Sequence, residues 1–319
     1  MKPFNVFPYD SNIDFMRLRM ISLAVAALIM FLGIGGMFAK GFNFALDFTG
    51  GVGIELAYDK PVDVDGVRKR LEAAGYQSAQ VQTFGTGKEL LVRLRDESKH
   101  KAGVDDASAS IAESVRVVAS EPGNPAKKLR SAEISPQVGR ELAENGIYAV
   151  LFVVLGFLMY ISFRFEWKFA VAAIITTLHD VVVVAGWFAL TGHEFDLTVL
   201  AGVLSVMGYS INDTIVVFDR VRENFRGMRV SPAEVLNRSI NQTLSRTVIT
   251  SFVAFLTVLA LYLYGGGSLR GMAESQILGI VIGTLSSIFV ACPLLLWLGV
   301  SKQDLMPKAR DEAALARRP

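Results

Sequence analysis

Gly208-Tyr209-Ser210-Ile211-Asn212-Asp213-Thr214-Ile215-Val216-Val217-Phe218 lies inside an otherwise apolar run from about Leu197 to Phe218. The run is long enough to cross a bilayer as a helix, yet it carries an acid. A carboxylate at the centre of a membrane helix costs about 2.5–3.5 kcal/mol or more unless it is paired, hydrated or protonated. Such a residue reads first as a functional site, and for an intramembrane acid the leading chemistry is proton handling.

Five further runs of similar character surround it: about Met20–Phe38, Gly146–Phe163, Phe169–Leu190, Thr247–Tyr264 and Ile277–Val300. Composition agrees. Of 319 residues, 52% are apolar and only 19% charged, against about a quarter charged in a soluble domain. The first run has Arg17 and Arg19 before it, as a signal peptide would. Its apolar core is too long for one, and Ala39-Lys40-Gly41 is a poor cleavage site, so it reads as a retained helix. The single cysteine, Cys292, sits in an apolar run and excludes an internal disulfide. His100, His179 and His193 are too scattered for a metal site, and no metal or cofactor is expected.

Lys and Arg set the orientation. They gather before the first span (Lys2, Arg17, Arg19), after the second (Arg164, Lys168) and after the fourth (Arg220, Arg222, Arg226, Arg229, Arg238, Arg246). The tail adds Lys302, Lys308, Arg310, Arg317 and Arg318. The stretch 191–196 has none, and Gly265–Gly271 has only Arg270. Both termini therefore face the cytoplasm, and residues of about 40–144 lie outside. The basic loop 220–246 is expected to be partly helical, starting a helix at Ser231-Pro232-Ala233-Glu234.

The outer segment has the length of one small domain. Phe44–Phe48 and Val52–Leu56 alternate like a bent strand, with Gly50-Gly51 at the bend. Val64–Ala74 has helical spacing and ends at Gly75. Ala79–Phe84 and Glu89–Arg95 flank Gly85-Thr86-Gly87-Lys88 as a hairpin. Val104–Ala119 reads as a second helix and Lys128–Ser135 as a last strand. The order β-α-β-β-α-β is the ferredoxin-like pattern. The chain thus divides into residues 1–39 (N-terminus and first span), 40–144 (outer α+β domain), 145–300 (five spans) and 301–319 (tail). The outer domain carries no catalytic constellation: Asp47 and Glu55 are isolated, and Gly50-Gly51 lacks a phosphate-loop lysine. It reads as a binding module, and the chain as no enzyme.

Asp213 lies 16 residues from the start of its span, about 24 Å inward. Arg246 enters the fifth span at comparable depth and is a candidate partner for it. Asn212 is a candidate hydrogen-bond neighbour. Thr247, Thr250 and Ser251 add hydroxyls. His179 and Asp180, mid-span in the third helix, are a possible second stage of a proton path. Simpler readings stand beside these: a static Asp213–Arg246 pair locking two helices, a local polar knot at His179-Asp180, an Arg246 that snorkels to headgroups. Gly279, Gly283 and Ser287, and Ala201 with Ser205, form small-residue faces suited to close helix contacts.

Several ordered motifs resemble the SecD/SecF family of bacterial protein-export membrane proteins, relatives of the resistance-nodulation-division transporters. They are Phe48-Thr49-Gly50-Gly51, Phe163-Arg164-Phe165-Glu166-Trp167, His179-Asp180, Gly208–Asp213 continuing to Phe218-Asp219-Arg220-Val221-Arg222-Glu223-Asn224, Gln242-Thr243-Leu244-Ser245-Arg246-Thr247, and Gly283-Thr284-Leu285-Ser286-Ser287-Ile288. One departure is Ser135, where the family usually has glycine. The resemblance covers nearly the whole chain. It implies a multi-pass protein of the bacterial inner membrane, a six-helix partner SecD, the SecYEG channel, YajC and YidC as neighbours, membrane lipids around it, and unfolded preprotein as substrate. No nucleic acid is expected. It further implies use of the proton-motive force to draw preproteins outward, with Asp213 and Arg246 at the family's coupling positions. The rival readings are half of a small-solute proton-coupled transporter and a non-transporting scaffold. A membrane hydrolase lacks its motifs.

Overall fold

The computed structural model describes residues 11–76, 79–84, 87–94, 104–134 and 136–305. Among the described residues six helices are long and apolar enough to span a membrane: Phe15–Lys40, Gln137–Arg164, Trp167–Thr191, Leu197–Gly227, Pro232–Tyr264 and Leu269–Trp297. In chain order the elements are α1 (Arg19–Lys40), β1 (Asn43–Phe44), α2 (Leu46–Thr49), β2 (Gly51–Ala57), α3 (Val64–Ala73), β3 (Gln80–Phe84), β4 (Glu89–Leu94), α4 (Val104–Ala119), β5 (Lys127–Ile134), α5 (Pro136–Arg164), α6 (Trp167–Thr191), β6 (Glu194–Phe195), α7 (Leu197–Gly227), α8 (Pro232–Tyr264), α9 (Gly267–Ser286), a π-helical segment (Ser287–Ala291) and α10 (Cys292–Trp297).

Between α1 and α5 the strands form one antiparallel sheet in the order β3-β4-β2-β5, with a register shift between Glu55 and Leu56. This is the ferredoxin-like arrangement expected from the element order. Ile54, Leu56, Leu90 and Val92 point to one side, where Val67 and Leu71 of α3 and Ala112 and Val115 of α4 close the core. Gly75, at φ +97°, ends α3: its N–H bonds Glu72 O, and the Tyr76 N–H bonds Leu71 O. Gly87 takes φ +78° in the β3–β4 hairpin, while Gly85 and Thr86 lie outside the described residues. So do Ser135 and the tail from residue 306.

The bent strand expected over Phe44–Phe48 does not form. Only Asn43 and Phe44 of this stretch form a strand, and they pair in parallel with Glu194 and Phe195 of β6. Leu46–Thr49 winds instead into one helical turn, closed by Gly50 at φ +70°, whose N–H bonds Leu46 O at 2.8 Å. Alternation of apolar residues is a poor guide here because Phe42, Phe44 and Phe48 all gather around Phe195. At Gly51 (φ +129°) a Cβ would fall 2.3 Å from Leu94 O, so the glycine pair serves close approach as well as the turn.

The spans also extend past their apolar runs. The basic segment 220–246 is mostly not a loop: α7 continues to Gly227, and α8 begins at Pro232 with Ser231 as its cap, the Ser231 Oγ accepting from Glu234 N–H. Asn224 joins the two extensions by donating to Ser239 Oγ (2.8 Å) and Gln242 Oε1 (2.9 Å). Residues ahead of α1 strap this hairpin. The Ile13 N–H bonds Asn241 Oδ1, the Asn241 amide returns a bond to Ile13 O, and the Met16 N–H bonds Asn237 Oδ1. The last span runs as α9, the π segment and α10; Pro293, which lacks an N–H, follows the π turn directly.

Within the bundle α6, α7 and α9 are central, while α1, α5 and α8 expose most of their surface. Lipid offers no hydrophobic drive between helices, so close packing must supply the contact. It does so through glycine. A Cβ on Gly279 would lie 2.0 Å from Val206 Cγ2, and one on Gly283 would meet Ser210 at 3.3 Å. Ala201 and Ser205, in contrast, are exposed. At the α1–α6 crossing Gly33 and Gly186 touch: a Cβ on Gly186 would stand 2.4 Å from Gly33 Cα. Gly186→Leu should therefore force α1 from α6 and cost about 1–3 kcal/mol, lowering the thermal unfolding midpoint in detergent. Gly35→Leu, a position with nothing within 4 Å of its Cβ, should leave that midpoint unchanged.

Candidate functional site

Three buried polar groupings share the middle of the bundle. The first centres on Asp180 of α6, which is fully buried. Its Oδ1 lies 2.9 Å from His179 Nδ1; its Oδ2 accepts from Ser210 Oγ of α7 (2.5 Å) and Ser286 Oγ of α9 (2.7 Å). One carboxylate thus receives bonds from two other helices. The close approach at Gly283, whose Cβ would lie 3.7 Å from Asp180 Oδ2, lets α9 come near enough. The sequence singled out His179-Asp180 but gave Ser210 and Ser286 no role. The available signal was hydroxyl residues on glycine-seamed helix faces.

The second is a chain of hydroxyls. Tyr209 Oη of α7 donates to Ser251 Oγ of α8 at 2.8 Å, and Thr284 Oγ1 of α9 lies 2.7 Å from the same oxygen. Ser251 in turn donates to Thr247 O. Tyr209 and Thr284 fell inside motifs but were not picked out as site residues.

The third is Asp213. It is 3% exposed, and its Oδ2 has no hydrogen-bond partner among the described residues. Ser251 lies within hydrogen-bonding reach of its carboxyl group, and Arg246 acts on it as a nearby charge. The expected ion pair with Arg246 is not closed within 4.0 Å: Arg246 is exposed on α8, its carbonyl accepting from Thr250 Oγ1. Asp213 and Arg246 are therefore on facing helices at related depth but apart. Asn212 does not join them. One residue along the helix turns its side chain about 100° around the axis, and Asn212 is exposed in a groove of about 460 Å³ with Gly156, Phe157 and Tyr160 of α5 and Gly208 and Ile211 of α7.

Further buried polar atoms lie on the same helices. Thr177 Oγ1 and His179 Nε2 of α6, Thr214 Oγ1 of α7 and Thr247 Oγ1 of α8 have no hydrogen-bond partner among the described residues. Ser210, Asp213 and Thr214 occupy one face of α7 by their i, i+3, i+4 spacing. At the end of the bundle away from the sheet Arg164 grips Asp219 through bonds of 2.8 and 2.9 Å, Arg222 meets Glu166 at 3.2 Å, and both guanidiniums sit over the Phe165 ring. Asp219 is thus a structural tie.

The Asp180 centre is the most completely bonded of the three, so its removal has a defined cost. Asp180→Leu leaves Ser210, Ser286 and His179 Nδ1 without their acceptor, each about 1–3 kcal/mol if unsatisfied. A large fall in the thermal midpoint is expected, with a much smaller one for Asp180→Asn, which retains an acceptor oxygen.

Comparison with known proteins agrees with this architecture. Residues 115–301 match the family "Protein export membrane protein SecD/SecF, C-terminal", and residues 35–62 match "SecD/SecF GG Motif". The protein translocase subunit SecF of Pseudomonas aeruginosa is 44% identical, covering 94% of this chain and 96% of that protein. The SecF of Vibrio alginolyticus is 40% identical, with 95% of each covered. The crystal structure of SecDF from Thermus thermophilus superposes with a TM-score of 0.82 at 40% identity, covering 93% of this chain. A super-membrane-facing form of SecDF matches with a TM-score of 0.66. This chain spans only 40% of the SecDF chain in the first of these structures. With its glycine-pair segment, sheet domain and six spans all matched, the chain belongs to the SecD/SecF family of protein-export membrane proteins.

Proposed function

We propose that this chain is a SecF-type subunit of the Sec preprotein translocase, which uses the proton-motive force to promote late steps of export. The observation that carries the reading is Asp213: a carboxyl group 3% exposed, with one oxygen unpaired, in the middle of a spanning helix. A permanently charged group would not be left so in a low-dielectric site. A group that alternates between protonated and charged forms needs such an arrangement in one of its states. Arg246, exposed on α8, supplies the charge that would meet the deprotonated form.

In this reading the sheet domain lies in the periplasm and both termini in the cytoplasm, which the distribution of Lys and Arg supports. The membrane is the bacterial inner membrane. Protons reach Asp213 from the periplasmic side past the unpaired hydroxyls of Thr214 and Thr247, which ordered water would satisfy. Protonation cancels the charge and frees α7 from α8; deprotonation toward the cytoplasm draws Arg246 back to the carboxylate. His179 and Asp180 form the fixed point about which the helices shift, since Asp180 already has its acceptor capacity engaged across α6, α7 and α9. One charge crossing about 100 mV releases about 2.3 kcal/mol, which biases a two-state element about fifty-fold.

SecD is the proposed partner. Support comes from the SecDF match, of which this chain accounts for 40%, and from the exposed stripe Ala201, Ser205, Gly208 and Asn212 on α7, small enough for close helix contact. The SecYEG channel, YajC and YidC are proposed neighbours and unfolded preprotein the cargo.

Asp213→Asn in the purified complex, reconstituted into vesicles with the channel and its ATPase, is the direct test. The expected result is unchanged assembly and ATP-driven export with the gradient-dependent increment lost. Export that still responds fully to the gradient would sink the reading.

A further inference from the structure

One contact between the sheet domain and the bundle lies at the turn between α6 and α7. Arg93, near the end of β4, is on the open face of the sheet, opposite the core residues Val92 and Leu94. It forms an ion pair with Glu194 of that turn, and both side chains are largely buried, at 16% and 11% exposed. Burial holds the Arg93 guanidinium down to about 10, against the pull of Asp196 and Asp47.

Those same two acids hold the first turn of α7. Asp196 is its cap: Oδ1 accepts from Val199 N–H and Thr198 Oγ1, each at 2.7 Å. Asp47, from the turn before the glycine pair, accepts from Leu197 N–H through Oδ2 at 3.2 Å. One cation of the sheet domain is therefore placed among three carboxylates, two of which hold the amides at the start of the helix that carries Asp213. Around this charge cluster the β1–β6 pairing, the Asn43 amide bond to Gly192 O (3.1 Å) and the ring of Phe42, Phe44 and Phe48 about Phe195 close the contact.

We propose that Arg93 is a positioning residue that clamps the sheet domain to the start of α7, so that a displacement of α7 moves the domain with it. The inference rests on the proton-coupled reading of Asp213 and deepens it by naming the route from that residue to the domain. A helix transmits motion along its axis because its backbone is rigid, and the stretch from Leu197 to Asp213 is uninterrupted helix. The path through α5 is different: there Gly139 packs against the backbone of Phe48 and Gly50, and α5 exposes most of its surface and carries none of the three groupings.

The test uses the full chain in its complex, with Cys292→Ser and spin labels on Cys residues introduced at Lys128 of β5 and Thr191 at the end of α6, both exposed. A narrow distance distribution is expected with Arg93 present, a broad one for Arg93→Met, and a narrow one again for Arg93→Lys, which keeps the cation. In the vesicle assay Arg93→Met should lose most of the gradient-dependent increment, at least about fivefold, with ATP-driven export retained, and Arg93→Lys should recover it. An unchanged distribution in Arg93→Met overturns the clamp. So does a broadened one with the gradient response intact. Asp213→Asn with Arg93 in place separates the two ideas: a normal gradient response there removes the proton-coupled reading, and with it the transmission role assigned to Arg93, while a lost response with a narrow distribution leaves both standing.

Discussion

Asp180 makes the rest of the bundle possible. In a membrane interior three helices gain little from burying apolar surface against one another, because lipid is as apolar as they are. A carboxylate that accepts from Ser210 and Ser286 while held by His179 supplies a directional tie across α6, α7 and α9. That tie needs backbones close together, and Gly279 and Gly283 provide the approach. The hydroxyl chain through Tyr209, Ser251 and Thr284 then brings α8 to the same core. Two buried acids thus have opposite characters. Asp180 has both oxygens engaged; Asp213 has an oxygen with no partner among the described residues. Environment, not residue type, separates the two.

Much of this was legible in the sequence. The six spans follow from long apolar runs, and the sheet domain from its alternating elements, because both signals are local. The start of α8 at Ser231-Pro232 was legible from its cap, but the reach of α7 and α8 past their apolar segments was not, since it depends on Asn224, Ser239 and Gln242 satisfying each other across the hairpin. Phe44–Phe48 misled for a related reason. Its apolar residues face a tertiary partner, Phe195, about 150 residues away, rather than one side of a sheet.

The site was legible in part. Asp213, Arg246, His179 and Asp180 stand out because charge is rare in such runs. Their mutual arrangement did not, since depth along a helix says nothing of rotation about it. Asn212, adjacent to Asp213 in sequence, faces a groove on another side of α7, and Arg246 is exposed rather than paired. Serines and threonines are common in any sequence, so Ser210, Ser286 and Thr284 acquire meaning only when helices are packed.

The strap at the start of the chain carries a consequence for biogenesis. Ile13 and Asn241 are separated by 228 positions, and a loop of that span is closed only after its far end exists. During synthesis the first span must therefore wait, with Ile13 and Met16 unattached, until the fifth has emerged and inserted. The strap is made by the first described residues of the polypeptide, and that segment is without its partners for most of translation.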